Sequence, residues 1–413
     1  MYRSLVVGRY LAIIKQWRNK MAKKQSNAFI AKIKRDKAFA DILSADNFEE
    51  QFVSTNCGPV NVLFSGRVKN GGIKKGCMVT IAADSKQGKS LIGLNLLAEA
   101  YKSGMSCIVI DSENAFNTRL ARMLGVDTDD IVVFKTSRIP EIKQIFARVN
   151  NGLTRAESRE IFILLDSWGP LVEEQVLEKA AQASSAVNMS GARFKNELAN
   201  VINAYGNTTF IVNHVYDTMD PYSPTGKFAI PGGKRLVFNS DAIVLASSSA
   251  KAKDSDGAIY GKIITAAVSK GRNAKEFKKL KFLIELDGGI NPYYGLLEEA
   301  IESGVVVKQK KGVSNVFVRP KYDTDGREWK EKELYCAKFW VPVFADDAFN
   351  DFLERKFSFE ETVLTSSKEN INEMIAAGDW DNLPDNSLTS KQETETPEIP
   401  DEDEPFTFDV DKD

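Results

Sequence analysis

Eight consecutive residues, Ala83-Asp84-Ser85-Lys86-Gln87-Gly88-Lys89-Ser90, carry the densest chemistry in the chain. They match the phosphate-binding spacing G-x-x-x-x-G-K-[ST], except that Ala83 stands where the first glycine belongs. Gly88 lets backbone approach an anion, the Lys89 ammonium reaches β- and γ-phosphate oxygens, and the Ser90 hydroxyl suits Mg²⁺. The helix expected to open there adds amide donors and a positive dipole end. Alanine disfavours positive φ, so this turn must begin differently from its glycine counterpart. A G-K-S at a helix start also arises by coincidence. The strand before it and the helix after it argue against that here.

Two carboxylates complete the constellation. Asp166 ends the apolar run "IFILLD", where it can hold the water shell of Mg²⁺ or merely cap the next segment. Glu113 lies two residues beyond Asp111 in "VIDSENAFN". From there it can orient or deprotonate a water attacking a γ-phosphate, although a surface glutamate at a helix start reads alike. His214, the single histidine, ends the run "TTFIVNH". It reads as a packing residue, a metal ligand, a base or a sensor. No second histidine or cysteine pair stands by to build a zinc site.

These residues need a scaffold. Residues 78–83, 107–111, 131–134, 161–166, 209–213 and 242–246 read as strands, several of them apolar throughout. Both faces of their sheet should therefore be covered by helices. Stretches between them, such as Lys89–Lys102 and Arg193–Tyr205, read as helices. The pattern predicts the α/β class with a mostly parallel central sheet, and "KIITAAVSK" and "LKFLIEL" as an antiparallel extension. Long polar segments follow two strand ends, at about 169–190 and 215–236, and unstructured stretches of that length are functional or disordered. Residues 296–365 read as a small α+β subdomain and 366–413 as an acidic, disordered tail.

With 413 residues and 43% hydrophobic content, one sizeable core and a smaller domain can be buried. The net charge of −2 conceals a polarity. Residues 1–40 carry eleven Lys/Arg against one acid, and residues 391–413 carry ten acids against two lysines. Such ends suit either plain solvation or the handling of nucleic acid. Four dispersed cysteines without a C-x-x-C pair argue against disulfides and for a reducing cytoplasm. No run approaches the ~20 apolar residues of a membrane span. The first twenty residues form a basic amphipathic stretch without a signal-cleavage site, and Met21 opens an ordinary start. Residues 1–20 are therefore expected to be a start-site artefact.

In order along the chain stand "SGRVKNGGIKKGCMVTIAADSKQGKS", "DSENAFN", "LLDSWGP", "IVNH", "PGGKRLVF", "VSKGR" and "DGGINPYYGLL". Together they resemble the RecA-type recombinase core, most nearly its phage UvsX branch. "VVVKQKKG" and "CAKFWVPVF" extend the likeness to about residue 353. The resemblance implies a RecA-like P-loop ATPase core at 55–295, preceded at 1–54 by a basic arm that docks on an adjacent protomer. It implies ATP and Mg²⁺ held between protomers of a helical filament. Ala83, Asp84, Ser85, Lys86, Gln87, Gly88, Lys89 and Ser90 would then bind nucleotide, with Leu120 against adenine. Ser90 and Asp166 would serve the metal and Glu113 would act as base. Lys270 and Arg272 would reach the γ-phosphate of the neighbouring subunit. The two long segments become loops that grip DNA, with Met189, Arg193, Gly232, Gly233, Lys234 and Arg235 as contacts and Met219 as an alternative wedge. Asn213 would sense the γ-phosphate and His214 would relay that state to the segment beginning at Val215.

The implied activity is ATP-dependent coating of single-stranded DNA, pairing with a homologous duplex and strand exchange, with DNA-stimulated hydrolysis at protomer interfaces. Its partners would be single- and double-stranded DNA, further copies of the chain, and mediator and single-strand-binding proteins. Two other readings compete. A hexameric helicase on the same core needs a separate N-terminal domain of about 100 residues, more than the stretch before residue 55 supplies. A structural filament using ATP only as a conformational ligand leaves Glu113 without its chemical role. The acidic tail is expected either to compete with DNA for basic surface or simply to aid solubility.

Overall fold

A computed structural model describes residues 50–359, apart from 174–184, 218–227, 232, 255 and 313. The expected arm up to residue 49, the tail from 360, Met219, Gly232 and the centres of both expected DNA loops lie outside the described residues.

Among the described residues, nine strands form the central sheet. In chain order they are β1 Met78–Ala83, β2 Ser106–Asp111, β3 Val132–Lys135, β4 Ile161–Asp166, β5 Thr208–His214, β6 Ala242–Lys253, β7 Ile259–Gly271, β8 Lys279–Glu285 and β9 Gly289–Ile290. Their spatial order is β9-β8-β7-β6-β1-β5-β4-β2-β3. From β6 across to β3 every neighbouring pair is parallel. From β6 to β9 every pair is antiparallel.

The unbroken apolar runs arise from two buried faces. On β4, Phe162 and Leu164 join one hydrophobic cluster, whereas Ile161, Ile163 and Leu165 join another. β5 divides in the same way, Phe210 and Val212 against Ile211. Helix α1 (Gly58–Ser65), wholly buried, and α2 (Lys89–Lys102) contribute to the first cluster. Helices α3 (Thr118–Met123), α4 (Ile139–Val149), α5 (Ser185–Tyr205) and α6 (Lys234–Asn239) follow, with a short helical turn at Arg155–Arg159 between α4 and α5. α4 covers the second face through Ile139, Ile142 and Phe146, the spacing of one helical stripe, and α5 adds Leu198, Ala199 and Ile202. α4 begins with a proline in its first turn, where a missing N–H costs nothing.

Beyond the sheet come α7 (Leu297–Glu302), a three-stranded antiparallel sheet of β10 (Val307–Lys311), β11 (Ser314–Val318) and β12 (Trp329–Lys330), then α8 (Ala337–Ala345) and α9 (Asp347–Phe357). Buried Arg319 organises this part. Its guanidinium pairs with Asp323 at 2.6 Å and lies 4.9 Å from the ring centres of both Trp329 and Phe339. Phe317, Trp329, Phe339 and Trp340 merge with the first cluster, so this subdomain shares the core of the sheet.

Several elements differ from the sequence reading. β3 starts one residue later than expected. β6 and β7 run well past their apolar centres, because each supplies the other with a ladder partner as far as Lys253 and Ile259. α5 begins at Ser185, so Met189 falls within a helix and not in a loop.

Candidate functional site

The parallel register brings the chemistry together. β1 pairs with β5 so that Ala83 faces His214, and β2 pairs with β4 so that Asp111 faces Asp166. The C-terminal ends of these strands form one edge, and the segments leaving them carry the candidate residues. Open α/β sheets bind ligands at such edges.

Ala83 is the last residue of β1, fully buried, and its backbone is not among the left-handed ones. The left-handed turns fall on Lys86 (φ 62°) and Gly88 (φ 79°). A glycine at 83 is therefore not demanded, and alanine there leaves the loop's shape intact. Gly88 is demanded twice, since a Cβ on it would also meet Ile284 Cδ1 at 2.2 Å. Asp84 Oδ1 accepts the Ser85 N–H at 2.7 Å and steadies the first turn of the loop. Lys89 is 6% exposed, and its ammonium donates to the carbonyls of Ala83 (2.9 Å) and Asp84 (2.7 Å). Burial lowers its pKa, opposed by Asp166, Asp84 and Glu113.

Asp166 is held above the usual carboxylate range chiefly by burial, while a hydrogen bond from Ser90 pulls the other way. A buried ammonium, a hydroxyl bonded to a carboxylate, and the unpaired first-turn amides of α2 make a donor set that suits a triphosphate with Mg²⁺. Among the described residues no cluster of three or more His, Cys, Asp or Glu side chains could hold a metal.

Glu113 lies in a loop shaped by Asp111, whose two carboxylate oxygens accept the N–H groups of Ala115 and Phe116, each at 3.0 Å. One oxygen of Glu113, Oε1, takes two contacts. Ser167 Oγ donates to it, and His214 Nε2 stands 3.1 Å away. The pKa of Glu113 is lowered, first by the Ser167 bond, with His214 adding to it against the effect of burial. An ionised carboxylate only accepts, so His214 Nε2 must carry the hydrogen. Ser112 and Ser167 clasp each other, with the Ser112 hydroxyl donating to Ser167 O and accepting the Ser167 N–H, both at 2.8 Å. The Asp166–Ser167 peptide is cis.

Asn213 is fully buried. Its amide donates to Pro231 O and its carbonyl accepts the His214 N–H, both at 2.9 Å. Those bonds suit a tether from β5 to the chain before α6 better than the γ-phosphate sensor expected of it, and the exposed polar group at this strand end is His214. Leu120, half-buried on α3, packs against the core, so its adenine contact is carried by resemblance alone.

Lys270 and Arg272 stand apart from this edge. Lys270 pairs in register with Ile243 and through it with Thr80, three residues short of Ala83. That is roughly 10 Å back along the strands, before the loop even begins. Lys270 donates to Val237 O and Phe238 O, each at 2.7 Å, and burial lowers its pKa. Arg272 pairs with Asp241 at 2.8 Å. The structure thus does not gather these two cations with Lys89 and Glu113 of the same chain.

Of the candidate DNA contacts, Arg193 is exposed within α5 and reaches Glu197 at 3.3 Å. Lys234 and Arg235 are exposed in the first turn of α6. Gly233 adopts φ 88°, and a Cβ there would meet Asn196 Oδ1 at 2.4 Å, so only glycine lets this turn approach α5. Gly232 and the Met189 side chain lie outside the described residues.

Several participants escaped the sequence reading. Ser167 donates to Glu113, and Ser112 holds Ser167. Lys195, its pKa lowered by burial, donates to Gly169 O at 2.6 Å. Lys262 on β7 donates to Lys86 O at 3.0 Å and so tethers the phosphate loop at its left-handed residue. The only sequence signal was the nearness of Ser112 and Ser167 to strand ends; Lys195, inside α5, carried none.

Residues 26–291 match the family model of the RecA N-terminal domain, and residues 293–353 match that of the C-terminal domain of the bacteriophage T4 recombination and repair protein. The chain is 27% identical to the recombination and repair protein of Enterobacteria phage T4 over 340 residues, covering 79% of this chain and 84% of that protein. It is also 27% identical to Protein RecA of Fusobacterium nucleatum (58% of this chain, 62% of that protein) and of Chlorobium limicola (64% and 73%).

Proposed function

The chain belongs to the RecA family, and from that premise we infer that it is a recombinase whose ATP hydrolysis depends on DNA. One observation carries the reading. Lys89, the Ser90–Asp166 pair and the Ser167–Glu113–His214 cluster converge on a single sheet edge.

ATP is the substrate. Lys89 draws the β- and γ-phosphates to the loop, and the amides from Gly88 onward orient them. Ser90 and Asp166 are the residues that would hold Mg²⁺, which would supply positive charge to offset that of the phosphates. Glu113, kept ionised by its two donors, positions the attacking water and accepts its proton. Lys270 and Arg272 act on a different protomer's nucleotide, a reading supported by their distance from the loop of their own chain. Cations brought up in this way stabilise the transferring phosphoryl group only where protomers meet, which ties turnover to assembly.

Lys234, Arg235 and Arg193 provide backbone grip for single-stranded DNA, with Gly232 and Gly233 allowing close approach. Sequence is read by base pairing between the strands, so base-edge contacts are not required of the protein. The basic segment 1–54 serves assembly with the adjacent protomer, 55–295 forms the ATPase core, and 296–365 the appended subdomain. No helix among the described residues is long and apolar enough to cross a membrane. A cytoplasmic site of action and partnership with mediator and single-strand-binding proteins complete the proposal.

The test is ATP turnover with and without single-stranded DNA, beside a strand-exchange assay. Stimulation by DNA, its loss in Glu113→Gln with nucleotide binding retained, and ATP-dependent exchange are expected. Unstimulated turnover without exchange would sink the reading.

A further inference from the structure

We propose that Lys262, on β7, is a positioning residue for the phosphates of the nucleotide: by holding the Lys86 carbonyl outward it aims the Gln87 N–H at them. The inference rests on residues 83–90 binding ATP, as proposed above.

The geometry begins with one cross-strand pair. Lys262 and Ile284 stand directly opposite each other on β7 and β8, so their side chains share a face of the sheet. Both meet the phosphate loop, and they meet it at its two left-handed residues. Lys262 Nζ donates to Lys86 O at 3.0 Å, and Ile284 Cδ1 lies 2.2 Å from where a Cβ on Gly88 would stand. Gly88 adopts its φ of 79° freely. Lys86, at 62°, carries a side chain, and such a conformation persists only where the surroundings impose it. Among the described residues the bond from Lys262 is the only one made to the Lys86 backbone.

The next peptide carries the consequence. Lys86–Gln87 is trans, so its C=O and N–H point in opposite directions. With the oxygen drawn to β7, the Gln87 N–H faces away from that strand, and among the described residues no acceptor takes it. A backbone N–H left in this way at the entrance to a helix is a donor for phosphate. Lys89 is no substitute for the tether. Its ammonium bonds Ala83 O and Asp84 O within the loop, and it must turn donors to the phosphates when they arrive. Lys262 reaches the loop from the neighbouring strand and is under no such demand.

The test titrates full-length protein with Mg·ADP and with a non-hydrolysable ATP analogue, and records the phosphorus NMR spectrum of bound ADP. Lys262→Met keeps the apolar stem and donates nothing. Its affinity for both nucleotides should fall about tenfold, the weight of one bond from a charged donor. The β-phosphate signal, from the group that ADP and ATP share nearest the loop, should move while the α-phosphate signal stays. The loss should persist at high salt, which would screen a mere effect of charge. Lys262→Arg should restore affinity and signal together. Unchanged affinity in Lys262→Met, a loss that vanishes at high salt, an unmoved β-phosphate signal, or a loss that Lys262→Arg does not repair would each overturn the proposal. Lys89→Ala tests the premise separately: nucleotide bound as tightly by that variant as by the wild type would overturn the phosphate-loop reading, whatever Lys262 does.

Discussion

Replacing Gly88 by alanine probes the phosphate loop where two constraints meet. The first is its φ of 79°, which a residue with a side chain resists by about 1–2 kcal/mol. The second is Ile284, whose Cδ1 would lie 2.2 Å from the new Cβ, while its Cγ1 stands back at 3.5 Å. Cδ1 is the end of a flexible side chain, so rotating it off its rotamer clears the space for about 0.5–1.5 kcal/mol. The two costs together reach about 1.5–3.5 kcal/mol, or a loss of nucleotide affinity of roughly ten- to several-hundredfold if binding needs the present loop shape. Ile284→Val removes Cδ1 and nothing nearer, so adding it to Gly88→Ala should recover about two- to tenfold, leaving the backbone cost in place. Titrating a fluorescent ATP analogue against wild type, both single variants and the double variant closes the cycle. A double variant no tighter than Gly88→Ala would refute the contact and assign the whole loss to the left-handed turn.

Three further outcomes are expected. Glu113→Gln and Lys270→Ala should each abolish turnover alone, but an equal mixture should recover about a quarter of the wild-type rate, because a quarter of random interfaces join an intact base to an intact Lys270; a mixture as inert as its parts would show that Lys270 acts within its own chain. Removing residues 391–413, which carry ten acids, should strengthen duplex binding and flatten its Mg²⁺ dependence, and unchanged binding measured by anisotropy would leave the tail a solubility role only. Burial, outweighing Lys356, holds the Glu299 carboxyl above its usual range, so its ionisation opposes folding; the stability it allows is full below the unfolded pKa and is lost as pH climbs through the folded one. Glu299→Gln should therefore raise Tm by a few degrees at pH 8 and not at pH 4, and an equal gain at both would remove burial as the cause.

How much can be read from sequence depends on how the information is distributed along the chain. The phosphate loop is legible because eight adjacent residues carry it, and β1, β2, β4 and β5 because two buried faces leave unbroken apolar runs. The outer halves of β6 and β7 are not, since their polar residues become strands only by pairing with one another. The start of α5 is hidden for a local reason: "SAVNMSGARF" offers small residues and a glycine where a helix signal would stand. The site divides the same way. Lys89 and Asp166 announce themselves by motif, but Ser167 meets Glu113 across 54 residues, and Lys262 meets the phosphate loop across 176. No local pattern encodes such a pair; only strand order does. Asn213 and His214 make the point most sharply, being adjacent residues of one strand that alternation sends to opposite faces. The family resemblance makes Asn213 the expected sensor and His214 its relay. In the structure Asn213 is buried and bonded to Pro231 O, and a contact spanning 101 residues sets His214 against Glu113, the proposed base. A solitary histidine is therefore best understood from what faces its ring, which here is the carboxylate of Glu113, the proposed base.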